Sequence, residues 1–330
     1  MKRRAGIDTK PELVFVERAP HENGFAAYFD KHIKPKLEDL ENRRLRARAV
    51  SRKRISIAVG LGIGFIVVGA VLLSRFEMGW GWVIFGATIA VGFLYGMVQK
   101  PAEKYVVDRK RTVIPEVLKF VGAFGYDPDG GLSEEVLKAS YLFESWDTCE
   151  CEDLITGSYR GQAFAFAEVE LSSEGSGFKG FIVWMEIERS EAATIAVKAR
   201  GKALNLLDRF FETFKDLRQI PFDQSKFAGE FDVYSTNEAE ARRIFTPHLV
   251  KMALELSRLR EASKVELGVR GSNFLLEVET KRDLFEPVDV HESALTTEDS
   301  RKFLEELHDV LEIVETVGQA TGSTAMLNRG

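Results

Sequence analysis

Cysteine is scarce: the 330-residue chain has two, Cys149 and Cys151. That excludes a disulfide framework, and both thiols are expected to be free. A single Cys-x-Cys with no second pair and no nearby histidine is a weak metal signal. Alternate residues of a strand share a face, so the ordinary reading is two half-buried thiols on a strand edge. Histidine is scarce too. His21, His32, His248, His291 and His308 are scattered, and no His-x-x-x-His or His-Glu-x-x-His set occurs. A Gly-x-Ser-x-Gly elbow and a phosphate-binding loop are also missing. Glu186 and Glu188 come nearest to paired carboxylates, but they flank Ile187 as a solvated strand face would. No catalytic residue, metal or cofactor is assigned, and the chain is not expected to be an enzyme. A cleavable signal peptide is not expected, because the first apolar run starts at residue 55, too late for such a segment. That run would serve instead as an uncleaved signal anchor.

What is present is organised around two apolar runs, Ile55–Leu73 and Trp80–Met97, neither with an Asp, Glu, Lys, Arg or His. As helices, runs of 19 and 18 residues would each span nearly the ~30 Å of a bilayer core. The expectation is a two-helix transmembrane hairpin over 55–97. Gly60/Gly64 and Gly92/Gly96 have the small-xxx-small spacing of close helix packing. They would serve a dimerisation face or, as the ordinary reading has it, packing of the two helices on each other. The preceding segment carries Arg43, Arg44, Arg46, Arg48, Arg52, Lys53 and Arg54 without an acid. These residues are expected to contact anionic lipid. With Lys100, Lys104, Arg109, Lys110 and Arg111 after the second run, they place both termini in the cytoplasm, in a multi-pass protein of the plasma (inner) membrane. Without charges inside the runs, a channel or pump is not expected.

The net charge of −6 hides an asymmetry: residues 1–54 carry +7 and residues 98–330 about −13. An acidic domain is a poor partner for nucleic acid. Four regions follow: an arm over 1–54, the hairpin over 55–97, an α+β domain over 98–317 and a flexible tail over 318–330. Residues 1–20 are expected to be loose. From about Glu22 the arm is helical, with Phe25, Phe29, Ile33, Leu37 and Leu40 as its stripe and Pro35 as a kink. Pro101–Tyr126 reads as helix with a kink or restart at Pro115. Asp127–Gly131 is a turn, and Ser133 caps a short helix. Strands are expected at Asp153–Ser158, Gln162–Leu171, Phe178–Ile187, Ala193–Ala199 and Phe227–Tyr234, in an antiparallel meander. Residues 202–220 are ambiguous. Ser235–Glu238 has the spacing of a capping box, and Thr246-Pro247 starts a second helix. Val265–Val269 and Asn273–Val278 form a hairpin through Arg270-Gly271-Ser272. A last helix, capped by Thr296 or Thr297, carries Phe303, Leu304, Leu307, Val310, Leu311, Val314 and Val317. The fold class is α+β: helical arm, transmembrane hairpin, and a cytoplasmic antiparallel sheet with helices on one face.

Two segments resemble a known family. Gly177-Phe178-Lys179-Gly180-Phe181-Ile182 is similar to the Phe-Lys-Gly strand of the bacterial domain-of-unknown-function family 3137. Phe231–Pro247 is similar to its second hallmark, a Phe-x-Val-Tyr-Ser strand followed by Glu-Ala-Arg and Thr-Pro. The resemblance covers roughly residues 20–315. It implies an arm, two membrane spans and a cytoplasmic α+β domain, and it brings no activity or site residue. A membrane-anchored scaffold or adaptor acting by protein–protein interaction is therefore expected, with a membrane-tethered ligand-sensing domain as the alternative. Its partners would be membrane lipids, a protein still to be identified and, in a homo-oligomer, a second copy of itself.

Overall fold

A computed structural model describes residues 13–46, 64, 107–139, 142, 146–174, 176–187, 193–200, 216–222, 225–258, 262–286, 293 and 295–321. The chain divides into two compact units, residues 1–116 with 287–300, and 117–286 with 301–330.

In the first unit the arm helix covers residues 25–46. Its expected stripe is the buried one: Phe25, Phe29, Ile33, Leu37 and Leu40 are all 3% exposed or less. Each such side chain contributes about 1.5–3 kcal/mol when fully buried. Residues 13–20, expected to be loose, instead seat Phe15 against Phe25 and Phe29, with ring centroids 4.8 and 5.5 Å apart. Pro35 does not break the helix. Phe29–Ile33 is π-helical, and the Lys34 N–H donates to the Phe29 carbonyl. Proline cannot donate to the carbonyl four residues back and crowds it. The widened turn just before Pro35 relieves that clash. Residues 107–121 are also one helix, unbroken at Pro115. Within the first unit, Lys36 Nζ lies 2.8 Å from Glu116 Oε1, and Tyr28 Oη donates to Glu116 Oε2 at 3.3 Å.

The second unit is built on one nine-stranded antiparallel sheet. Its strands are β1 (Gly125–Asp127), β2 (Thr148–Tyr159), β3 (Gln162–Ser173), β4 (Ser176–Glu186), β5 (Thr194–Ala199), β6 (Arg218–Ile220), β7 (Phe231–Ser235), β8 (Ala262–Arg270) and β9 (Asn273–Thr280). The spatial order β1-β2-β3-β4-β9-β8-β5-β7-β6 departs from the expected meander. The β8–β9 hairpin is inserted between β4 and β5. Phe227 belongs to a short helix, Ser225–Glu230, rather than to the strand that follows it.

Strand alternation gives the sheet two apolar faces. One carries Ala167, Val169, Leu171, Phe178, Ile182 and Leu275, and Leu137 of helix Glu134–Ala139 packs on it. On the other, Phe166 meets Phe285 at 5.5 Å, and Phe285 meets Phe303 of the long helix Glu298–Thr321 at 6.2 Å. Helices thus lie on both faces, which corrects the expected one-faced arrangement. The transmembrane hairpin drops out of the fold class as well: among the described residues no helix is long and apolar enough to cross a membrane. The long described helices bury one stripe and expose charge on the other side, as amphipathic helices do. The runs Ile55–Leu73 and Trp80–Met97 lie outside the described residues, apart from helical Gly64.

Candidate functional site

Strand alternation also sets out a groove. Glu150 pairs with Glu170 and Glu152 with Glu168 across β2 and β3, so four carboxylates share one patch of sheet. Like charges directly opposite are unfavourable, which makes the arrangement conspicuous. Lys179 of β4 stands opposite Glu170. Its Nζ lies 3.5 Å from Glu170 Oε2 and 3.3 Å from Asp283 Oδ1. The hydrogen bond and charge of Asp283 hold the Lys179 ammonium above its ordinary range. Asp129, Arg282 and Asp283 line the remaining walls of a cavity of about 330 Å³. Glu168 is buried and accepts from the Leu284 N–H. Arg282 Nη2 donates to Glu306 Oε1 at 2.8 Å, and the Phe285 N–H donates to Glu306 Oε2 at 2.7 Å. Burial nevertheless keeps the Glu306 carboxyl above the usual range.

A β-bulge ends the groove between Glu152 and Ile155. Asp153 sits in it with φ 56°, fully buried. It accepts a hydrogen bond from Tyr126 Oη, and its N–H donates to the Pro128 carbonyl at 3.2 Å. Burial and then the charge of Asp153 push the Tyr126 phenol up. Carboxylate oxygens of Glu152, Asp153 and Glu286 all lie within 4.8 Å of one another. Their hard oxygens suit a calcium- or magnesium-like cation.

A second cluster is buried in the sheet itself. Glu266 of β8 pairs with Glu277 of β9, and both are 0% exposed. Lys198 Nζ lies 2.6 Å from Glu266 Oε2 and donates to the Leu142 carbonyl at 3.2 Å. Lys264 Nζ lies 3.2 Å from Glu266 and 3.1 Å from Glu277. Burial alone would raise both carboxyls, but at Glu266 the two ammonium groups win and hold it below the usual range. At Glu277 burial and the charge of Glu266 win, and its carboxyl is pushed up to about 8. One carboxylate and one carboxylic acid therefore stand side by side at neutral pH.

The residues singled out in the sequence fall elsewhere. Arg43 is exposed and paired with Asp39 at 2.6 Å. Arg44 is buried, its guanidinium bound to Glu41 at 2.6 Å. Arg46 is exposed, whereas Arg48, Arg52, Lys53 and Arg54 lie outside the described residues. A Cβ at Gly64 would meet nothing within 4 Å, and Gly60, Gly92 and Gly96 lie outside the described residues. Glu186 is an exposed residue at the end of β4, and Glu188 lies outside the described residues. The groove glutamates were readable as two alternating Glu-x-Glu pairs, Glu150/Glu152 and Glu168/Glu170. The buried pair was readable as one acid in the middle of each apolar strand of the hairpin.

Residues 176–319 match the family model described as protein of unknown function, DUF3137. The match supports the family suggested by the two motifs. Its segment runs from β4 to the end of the long helix and so takes in the Glu266–Glu277 cluster. It also takes in the Lys179 and Arg282 side of the groove, but not β2 and β3. No curated protein matches the chain. Among solved structures, the crystal structure of the mycobacterial trehalose monomycolate transport factor A, TtfA, is similar at 13% identity. The TM-score is 0.33, with 62% of this chain and 95% of that chain covered, and at that score nothing is carried over.

Proposed function

We propose that the chain is a scaffold or adaptor acting by protein–protein interaction, which receives a basic segment of its partner in the β2–β4 groove. The observation that carries this reading is the four-glutamate floor, on which Lys179 is the one cation of the paired strands. Such a floor disfavours the empty state through like-charge repulsion and is relieved by an incoming cation. Lys179 and Arg282 lie toward the β4 side, so an incoming basic chain would be aligned along β2 and β3. Anchoring by residues 55–97 forms no part of this proposal.

The test is fluorescence-anisotropy titration of lysine- and arginine-rich peptides against the full chain and a Glu150→Gln/Glu170→Gln variant. Binding should weaken about tenfold or more in the variant and fall as salt rises. Equal binding by both proteins would sink the groove as the docking site. The ligand-sensing alternative is favoured by the cavity of about 330 Å³, which falls at the small end of ligand sites. It predicts that a small polyamine raises the melting temperature of the wild type and not of the variant.

A further inference from the structure

The face of β2 opposite the groove holds both cysteines of the chain. Cys149 pairs with Leu171 and Cys151 with Val169, so the two thiols project on the Val169–Leu171 side of the sheet. Their sulfurs are 3.6 Å apart. Cys149 is exposed and Cys151 half-buried, which leaves the pair open to an ion from solvent.

We infer that Cys149 and Cys151 form a dithiolate site for a soft, thiophilic metal ion. Two zinc–sulfur bonds of about 2.3 Å at a tetrahedral angle place the sulfurs about 3.8 Å apart. The observed pair needs to open by only a few tenths of an ångström. A disulfide asks for far more. It brings the sulfurs to about 2.05 Å, with Cα atoms usually no more than about 6.8 Å apart. Residues two apart on a strand are already separated by about 6.6 Å, near the upper end of that range.

Cys151 is packed closely against the backbone at Gly131. Gly131 allows that approach: a Cβ there would run into Cys151 Cβ and lie 2.7 Å from its sulfur. Binding breaks each S–H bond still present, passes that proton to water and forms a metal–sulfur bond, with no change of oxidation state. Among the described residues no His, Asp or Glu clusters with the two sulfurs. Zinc, cadmium and cuprous ions belong to the class that thiolates select. The carboxylates of Glu152, Asp153 and Glu286 offer hard oxygen donors instead.

The test uses the reduced, metal-free full chain and cadmium as the probe, followed by calorimetry and by the ultraviolet thiolate-to-cadmium band. One cadmium per chain with that band is expected. Cys149→Ser and Cys151→Ser should each lose the band and weaken binding at least tenfold, while Glu152→Gln keeps both. Absence of the band in the wild type, or its survival in both serine variants, would overturn the site. A second measurement needs no variant: a monoarsenical that bridges two thiols should add once per chain and protect both cysteines from alkylation. Two thiols still open to alkylation after that treatment would also overturn it.

Discussion

At the scale of single residues, the tension lies in the Glu266–Glu277 pair. Glu277 titrates near 8 in the folded chain, against about 4.3 for an unfolded glutamate. The folded state therefore binds the extra proton between those values. This contribution is complete below the unfolded value and is lost as pH rises through about 8. Glu266 acts in the opposite sense. Its lowered carboxyl contributes stability above the unfolded value, which is lost as pH falls through the folded one. Urea unfolding of the wild type should therefore show stability falling from pH 5 to pH 9, by a few kcal/mol at about 1.4 kcal/mol per pKa unit. Glu277→Gln should flatten that fall. Parallel curves for the two proteins would mean that the proton is not held there. Gly180 is constrained by space rather than charge. A Cβ at this position would run into the Val278 carbonyl of β9, which accounts for the glycine of the Phe-Lys-Gly strand. Gly180→Ala should cost about 1–3 kcal/mol by overpacking. A melting temperature unchanged by the substitution would refute that contact.

At the scale of elements, local chemistry was largely legible and pairing across the chain was not. The hairpin turn illustrates both. Gly271, at φ 58°, and Ser272 form its two-residue loop. That loop pairs Arg270 with Asn273 and, by counting back, Glu266 with Glu277. The buried acid pair was thus implicit in a turn already read from the sequence. Its neighbours were not, because insertion of β8–β9 beside β4 and β5 is a choice among distant edges that no local pattern encodes. The same holds for the groove: the Glu-x-Glu alternation is local, but its rim comes from Asp129 and Asp283, which the fold brings together. Capping shows a finer limit. Ser235 has the spacing of a capping box, yet the cap of helix Glu238–Ile244 is Asn237, whose side chain accepts from the Glu240 N–H at 3.1 Å. Ser235 instead ends β7, where its Oγ accepts from the Asn237 N–H at 2.9 Å and donates to the Asn237 carbonyl at 2.8 Å. Strand pairing with Ile195 and Arg218 holds Ser235 in the sheet and moves the helix start two residues on. Asn237→Ala should therefore cost about 1 kcal/mol, as loss of an N-cap does, measured by chemical denaturation. An Asn237→Asp change should keep the cap. Equal losses in both variants would argue against the side-chain bond.

At the scale of the whole molecule, the first unit is assembled from segments far apart in sequence: the arm, residues 107–116 and the start of helix Glu298–Thr321. Closing such a distance costs chain entropy, so the unit depends on contacts between its ends. One of these is a buried ion pair. Arg109 and Asp299 are 0% and 1% exposed, and the guanidinium is in contact with the carboxylate. Arg109 was read from the sequence as one of the flanking cations that fix orientation. Its burial shows that a charge count cannot separate a surface cation from one committed to a partner nearly two hundred residues away. Removing one member of a buried pair leaves the other charge uncompensated and costs about 3–5 kcal/mol, whereas replacing both with apolar residues of similar volume is often nearly neutral. Asp299→Ala should therefore destabilise strongly, and Arg109→Met/Asp299→Leu should recover much of the loss. The double-mutant cycle isolates this pairing from ordinary packing. If the four melting curves showed simple additivity, the two side chains would be independent surface-like charges and the closure of this unit would rest on its apolar stripe alone.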